Sequence, residues 1–345
     1  MIARSNWMYR KLLRLYPARF RDEYAFPMAQ CFRDMCLEAA RSGGSRGVLW
    51  VWLRVFPDFA RSLVREQIDS RWGKEGIMSA YPRVIDRFQV KAQIGDGSVS
   101  RVYQAYDPDR KRDVAIKLLK PQESGQTDSA RPLVMDLQRE LDVLTAFDHP
   151  AIPKAYGWVQ SEAGAYLVMD YIPGPSLLQV LEQREGFLPE QEIIAWGIQA
   201  CEVLVYLHTR QPDPWLFRDI KPSNMILDEQ GGFHLVDFGT GVTYKPGRCY
   251  ECIGTEGYAA PEQYQGGEEP RSDLYALGAT LHQLATRIDP REETKRHPFT
   301  FAPPRSINPS LSKGFAGVIQ KALSFELEDR YASAAEMESA LKACS

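Results

Sequence analysis

Within Phe217-Arg218-Asp219-Ile220-Lys221-Pro222-Ser223-Asn224, and in Asp237-Phe238-Gly239 a short gap downstream, the chain gathers two carboxylates, an ammonium and a carboxamide. That set suits phosphoryl transfer. Moving a γ-phosphoryl group needs little covalent help from a protein; it needs a carboxylate at the attacking hydroxyl and oxygen ligands that hold Mg²⁺ against the phosphates. Asp219 would orient the hydroxyl and accept its proton, and Lys221 would neutralise the transferring phosphate. Asn224 and Asp237 would supply oxygens to Mg²⁺, with Mn²⁺ an alternative.

An isolated Asp-x-Lys-x-x-Asn can arise in any polar turn, so order and spacing of the neighbouring segments carry the weight. Upstream stand Gly95-Asp96-Gly97-Ser98-Val99-Ser100 and Val114-Ala115-Ile116-Lys117; downstream stands Ala260-Pro261-Glu262. In this order the segments resemble the eukaryotic-type protein kinase family, in the variant common in bacteria, from about Arg87 to Ala343. The resemblance implies an α+β, two-lobed fold: a small, mostly antiparallel β lobe with one regulatory helix, and a large, mostly helical lobe. It also implies a serine/threonine protein kinase using ATP and Mg²⁺ and acting on proteins, itself included.

Several elements must position these groups. Phe88-Gln89-Val90 is expected to open the first strand, with Gly95-x-Gly97 as the turn out of it, glycines letting backbone N–H groups approach phosphates without Cβ atoms in the way. Ser100 stands where the family has its third glycine. Strands at Val102–Tyr106 and Val114–Leu118 follow. Lys117, on the latter, would hold the α/β-phosphates and pair with Glu140 of the helix-patterned run Leu137 to Leu144. Between them Pro121 to Pro132 reads as a polar loop. Tyr166 to Tyr171, stopped by Pro173 and Gly174, reads as the last strand and the hinge. Adenine would meet the backbone of Asp170 and Ile172 there, with Met169 behind it and Ile94, Gly95, Gly97, Val102 and Ala115 completing the nucleotide pocket.

Pro189 is suited to open a helix through Ile193, Ile194, Ala200, Leu204 and Leu207. Phe217 stands where the family usually has histidine, and is expected against Phe238, with Leu144 in the same apolar column. The resemblance gives Arg218 a further role, because such an arginine commonly contacts a phosphate on the activation segment, here Thr240 to Ala259. Thr240, Thr243, Tyr244 and Tyr250 are the candidate acceptors, while Thr255 would contact Asp219 and Lys221. Glu262 would pair with Arg330, and Asp273, heading the helix Ser272 to Thr286, would brace the catalytic loop. Cys249-x-x-Cys252 lacks the further ligands zinc requires and reads as two reduced thiols, with a redox switch as the alternative. Arg287 to Pro309 departs from the family: it holds five prolines and no helical period where a further helix normally helps dock substrates. Helices are expected again over Ser312 to Leu323 and Ser333 to Leu341.

The chain has 345 residues and a net charge of −3. That charge is unevenly placed: residues 1–80 hold 14 Lys and Arg against 8 Asp and Glu, and the remainder holds 28 against 37. A basic head precedes an acidic body. Residues 1–75 read as a helical prefix, 76–86 as a linker, 87–173 as the small lobe and 174–345 as the large lobe. In the head, Trp7, Leu12, Leu13 and Tyr16 recur at helical spacing behind Ser5, a candidate N-cap, and Pro17 ends the run. Two more helical runs are expected, over Phe20 to Ala40 and Gly47 to Ile68. The stretch Tyr16 to Tyr24, with Met28 and Phe32-Arg33-Asp34, resembles a prefix segment found ahead of some bacterial permeases. With four tryptophans at 7, 50, 52 and 72, such a head could dock on an anionic membrane surface or on a membrane protein. No leader or ~18-residue apolar span is evident and six cysteines make no disulfide framework, so a cytoplasmic place is expected, peripheral to the inner face of the membrane if the head docks there. No nucleic-acid partner is expected.

Two other readings compete. A catalytically silent, kinase-like scaffold would usually lack the equivalents of Lys117, Asp219 or Asp237, and all three are present. A small-molecule kinase would usually lack the segment ending in Ala-Pro-Glu.

Overall fold

The computed structural model describes residues 2–13, 32, 36, 52, 82–97, 99–120, 127–251, 253–294 and 299–344. The chain divides into two units, Met1–Ala80 and Tyr81–Ser345.

In the first unit, helix α1 (Ile2–Leu13) starts before Ser5, so Ser5 is a buried residue inside the helix and not its cap. Tyr9 and Leu13, one turn apart, are both buried, as i, i+4 neighbours on one face are. Tyr9 stacks on Phe32 at 4.1 Å, and Trp52 meets both rings edge-on, at 6.1 and 4.9 Å. Such offset and edge arrangements match the ring quadrupoles. Trp52 therefore helps form this unit's own core. Cys36 is fully buried, and burial pushes its thiol up. The remainder of the second and third expected helical runs, with Cys31, Trp50 and Trp72, lies outside the described residues.

In the second unit a six-stranded antiparallel sheet has the order β1-β2-β3-β4-β6-β5. Its strands are β1 (Val84–Ile85), β2 (Phe88–Asp96), β3 (Ser100–Asp107), β4 (Arg112–Leu119), β5 (Ala155–Ser161) and β6 (Gly164–Asp170). β1 falls within the stretch expected as linker: Ile85 is buried and pairs with Phe88, so the sheet begins earlier than expected. β5 has no counterpart among the expected strands. The alternation of strand side chains sorts the residues of β4 by face. Val114 and Ile116 join Ile85, Phe88, Tyr103 and Tyr166 in one apolar cluster, whereas Ala115 packs into the larger core on the opposite face, the face that Lys117 shares. Helix α2 (Thr127–Ala146) starts within the segment expected as a loop, Pro121 to Pro132, of which residues 121–126 lie outside the described residues.

The helical part is built round α5 (Pro270–Thr286), which is buried on all sides from Ser272 to Thr286. A helix without a wet face must satisfy its polar side chains internally. Ser272 donates to Glu262, Thr280 to the carbonyl of Ile220 and Thr286 to the carbonyl of His282. Helix α3 (Leu177–Gln183) opens with a capping box in which Ser176 and Gln179 satisfy each other's backbone N–H groups. Helix α4 (Glu190–His208) begins behind Pro189. Gly174 is forced by its surroundings: its φ is +146°, and a Cβ there would lie 1.9 Å from the carbonyl oxygen of Leu227. The proline-rich stretch after α5 does contain helical turns, but single ones, Pro290–Thr294 and Pro304–Ile307. Among the described residues no helix is long and apolar enough to cross a membrane.

Candidate active site

The loop 217–224 runs between β7 (Trp215–Leu216) and β8 (Met225–Leu227). Asp273 fixes its backbone. The Asp273 carboxylate is 1% exposed and accepts from the N–H groups of Phe217 at 2.9 Å and Arg218 at 2.8 Å, with His208 Nε2 also 2.9 Å away. Arg218 is held at φ +72°, a conformation that costs a non-glycine residue energy and persists where surrounding contacts over-determine it. That bend leads directly into Asp219.

Both oxygens of Asp219 are engaged. Oδ1 accepts from Thr255 Oγ1 at 2.5 Å, and Oδ2 accepts from Asn224 Nδ2 at 3.0 Å and Lys221 Nζ at 2.8 Å. Lys221 also donates to Thr255 Oγ1 at 2.8 Å. Because Asn224 Nδ2 also reaches the Asp219 carbonyl, its amide is oriented with nitrogen towards Asp219, and its oxygen has only the Ser223 hydroxyl nearby, at 3.5 Å.

Opposite this loop, Lys117 Nζ lies 2.7 Å from Glu140 Oε2 and 2.8 Å from Asp237 Oδ1. Burial pulls the Lys117 ammonium down, but the charges of Asp237 and Glu140 outweigh it and hold the group above the ordinary lysine value. The Lys117 charge in turn lowers the Asp237 carboxyl, against the opposing effect of burial. A depressed carboxyl contributes stability that is complete above the ordinary carboxylate pKa and is lost as pH falls through the lowered value. Asp237, like Arg218, has a positive φ, of 70°.

Sheet register sets several of the residues expected around a nucleotide side by side. Gly95 pairs with Val102, Val102 with Lys117 and Ala115 with Met169. Ala115 and Met169 are buried, Ile94 is exposed, and Asp170 and Ile172 are half-buried. The Asp170 side chain turns away to accept from Tyr156 and from Lys154 N–H. The Gly97 N–H donates to the Ser100 carbonyl at 2.9 Å, closing the turn; Ser98 lies outside the described residues. Phe217 meets Phe238 edge-on at 5.0 Å, and Leu144 shares their core. Phe147, unremarked in the sequence, meets Phe238 at 5.6 Å and belongs to the same column.

The donor set for a metal consists of hard oxygens: the Asp237 carboxylate and the Asn224 amide. Among the described residues no cluster of three His, Cys, Asp or Glu side chains could hold an ion alone. One carboxylate and one carboxamide fit Mg²⁺, which dehydrates reluctantly and completes its shell with water and substrate phosphates.

Two expectations about the activation segment need correction. Tyr250 is buried, and its hydroxyl accepts from Lys245 N–H at 2.6 Å and reaches the carbonyls of Thr243 and Lys245. It is a packing tyrosine, not an available acceptor. Arg218 is not free for a phosphate either. Its guanidinium is paired with Glu268, 2.6 Å away, a residue that no sequence motif flags. Thr243 lies on β9 (Val242–Thr243), paired with Trp215, and Thr240 Oγ1 is 3.4 Å from the Phe217 carbonyl. The Tyr244 ring is half-buried. Cys249 is exposed, and Cys252 lies outside the described residues. Further out, Arg330 forks onto Glu262 at 2.7 and 2.9 Å.

A family model described as a protein kinase domain matches residues 88–340. The chain is 30% identical over 289 residues to serine/threonine-protein kinase PknB of Mycobacterium leprae, spanning 76% of this chain and 44% of that protein. It is 29% identical over 275 residues to serine/threonine-protein kinase PrkC of Bacillus subtilis, spanning 75% of this chain and 41% of that one. The chain thus spans less than half the length of the curated relatives it matches. Among solved structures, a double mutant of the Mycobacterium tuberculosis PknI kinase domain aligns with a TM-score of 0.60 at 25% identity, covering 78% of this chain and 99% of that one. The apo form of PpkA-294 aligns at 0.63 and 23% identity, a likeness of fold alone, covering 77% and 99%.

Proposed function

The chain belongs to the protein kinase family, and from that membership we propose that it transfers the γ-phosphoryl group of ATP to serine and threonine hydroxyls of proteins, itself among them. One observation carries this reading: Lys221, Thr255 and Asn224 converge on the Asp219 carboxylate, Lys117 links Glu140 and Asp237, and the charge of Lys221 reaches Asp237. In this reading Asp219 takes the hydroxyl proton, Lys221 stabilises the transferring charge, and Lys117, oriented by Glu140, binds the α/β-phosphates. The glycine hairpin, Ile94, Val102, Ala115 and Met169 enclose the nucleotide, and the backbone at Asp170 and Ile172 receives the adenine. Incubating the protein with labelled ATP, Mg²⁺ and a protein acceptor, then mapping phosphoserine and phosphothreonine, tests the reading. ATP binding without transfer to any acceptor would favour the silent scaffold instead.

Mg²⁺, when bound, would neutralise charge on the β- and γ-phosphates; Asn224 and Asp237 would hold it. Asp237→Asn is expected to weaken Mg·ATP binding by about tenfold, the loss of one charge-assisted contact of ~1.5 kcal/mol. Calorimetric titration with Mg·ATP needs no turnover, and an unchanged Kd would remove Asp237 from the metal site.

For the basic head, the proposal is weak docking on an anionic membrane surface. Charge supports it at only ~1 kcal/mol per basic residue near such a surface, and the acidic body opposes it. Of the four tryptophans, Trp52 is already packed against Tyr9 and Phe32. Sedimentation with anionic vesicles should therefore be partial and disappear with added salt, and should be lost in protein beginning at Ala80. Equal behaviour of the two proteins would reject the head as the docking element.

A further inference from the structure

Arg218 is enclosed to 3% exposure and Glu268 to 0%, and the guanidinium contacts Glu268 Oε1 through Nε at 3.2 Å and Nη2 at 2.6 Å. The same guanidinium donates to the carbonyl of Thr240 at 3.3 Å and to the carbonyl of Glu251. Those carbonyls lie near the two ends of the stretch in which phosphate acceptors were expected. The chain beside Glu268 holds the same stretch a second time, because Tyr250 N–H donates to the Gly266 carbonyl at 2.9 Å. Gln263 adds a third tie, its amide nitrogen lying 3.2 Å from the carbonyl of Ile253.

We propose that Glu268 is a positioning residue: its buried carboxylate supplies on Arg218 the negative charge that an activation-segment phosphate would otherwise bring, so the segment is ordered for catalysis without being phosphorylated. The proposal rests on the kinase reading above. A buried guanidinium without an anion is strongly unfavourable, so something must hold this one. Glu268 does so from outside the segment and needs no modification to be there; burial pushes its carboxyl up, and the hydrogen bond and charge of Arg218 oppose that shift. A phosphate arriving on Thr240 or Thr243 would have to displace or approach that carboxylate, and like charges would repel. Arg218 transmits the effect to Asp219, its neighbour in sequence, through a backbone that Asp273 fixes. Phosphorylation elsewhere on the chain is compatible with this arrangement; dependence of activity on phosphate in 240–250 is not.

The test uses the full chain. Phosphatase-treated wild-type protein, verified by mass spectrometry to carry no phosphate in 240–250, is expected to keep its kcat within about twofold. Glu268→Gln, which removes the charge and keeps the shape, is expected to lower kcat about tenfold or more with KM for ATP nearly unchanged. It should also speed amide hydrogen exchange over 240–251, and Glu268→Asp should recover part of both losses. A tenfold loss of kcat on phosphatase treatment, with the phosphate mapped to 240–250, would overturn the proposal. So would Glu268→Gln with wild-type kcat and exchange. If Glu268→Gln does not fold, the phosphatase result decides; if the protein transfers no phosphate at all, the exchange comparison decides independently of the kinase reading.

Discussion

Asp219→Asn is expected to reduce phosphoryl transfer by about 10²–10⁴-fold while leaving the affinity for Mg·ATP within about twofold. The asparagine can keep the geometry, since Thr255, Lys221 and Asn224 surround the side chain and an amide fills the same space. It cannot accept the hydroxyl proton. Nucleotide contacts are expected from the other side of the cleft, where Lys117, Glu140 and Asp237 form their own linked set. Single-turnover transfer and calorimetric ATP titration on the same preparation separate the two effects. If Asp219→Asn lost as much nucleotide affinity as Asp237→Asn, the division of roles between the two carboxylates would be wrong.

The largest expected loss of stability lies away from the cleft, at Arg330→Ala. The Arg330 side chain is 0% exposed and Glu262 12% exposed, so the pair is buried on the arginine side and half-buried on the glutamate side. Arg330 also donates to the carbonyls of Ser324 and Phe325, both tied to the turn before the last helix. Its guanidinium lies 4.8 Å from the Tyr275 ring centroid. Truncation would leave the Glu262 carboxylate with only the Ser272 hydroxyl at 2.6 Å, and would strand two carbonyls. Breaking a buried pair by deleting one partner costs ~3–5 kcal/mol, a large share of a domain's total stability. Urea unfolding should show the midpoint falling with an unchanged slope. A shift of less than about 1 kcal/mol would mean that water replaces the pair and that the site is wetter than its burial indicates.

The expected elements differ in how well they survive the structure, and locality explains the difference. Val114-Ala115-Ile116-Lys117 alternates by two, and that period alone places Ala115 and Lys117 on one face of the strand and Ile116 on the other. The capping box of Ser176 and Gln179 is equally local, carried by the spacing Ser-x-x-Gln. The expected linker and the expected loop before α2 run into β1 and α2, because missing periodicity, glycine, proline and polar composition do not mark where an element begins. A two-residue strand such as Val84–Ile85 has no period to detect; it exists because Ile85 is buried beside Phe88 in the sheet's outer cluster. Ser5 looked like a cap for the same reason, since a residue type favoured at helix ends does not reveal that the helix has already begun.

By itself the sequence determined the chemistry: which carboxylates, amine and amide are available, and that Asp219, Lys221 and Asn224 must be neighbours because they share one short loop. It also determined the order of lobes and the pairings set by resemblance, Lys117 with Glu140 and Glu262 with Arg330. Tertiary structure alone decided what surrounds each charge. The partner of Arg218 is Glu268, fifty residues on; Tyr250 is buried; and Trp52 is spent on Tyr9 and Phe32. None of these follows from spacing, because a charge taken out of water accepts whichever opposite charge the packing brings within reach, and an aromatic ring packs on whichever surface shields it.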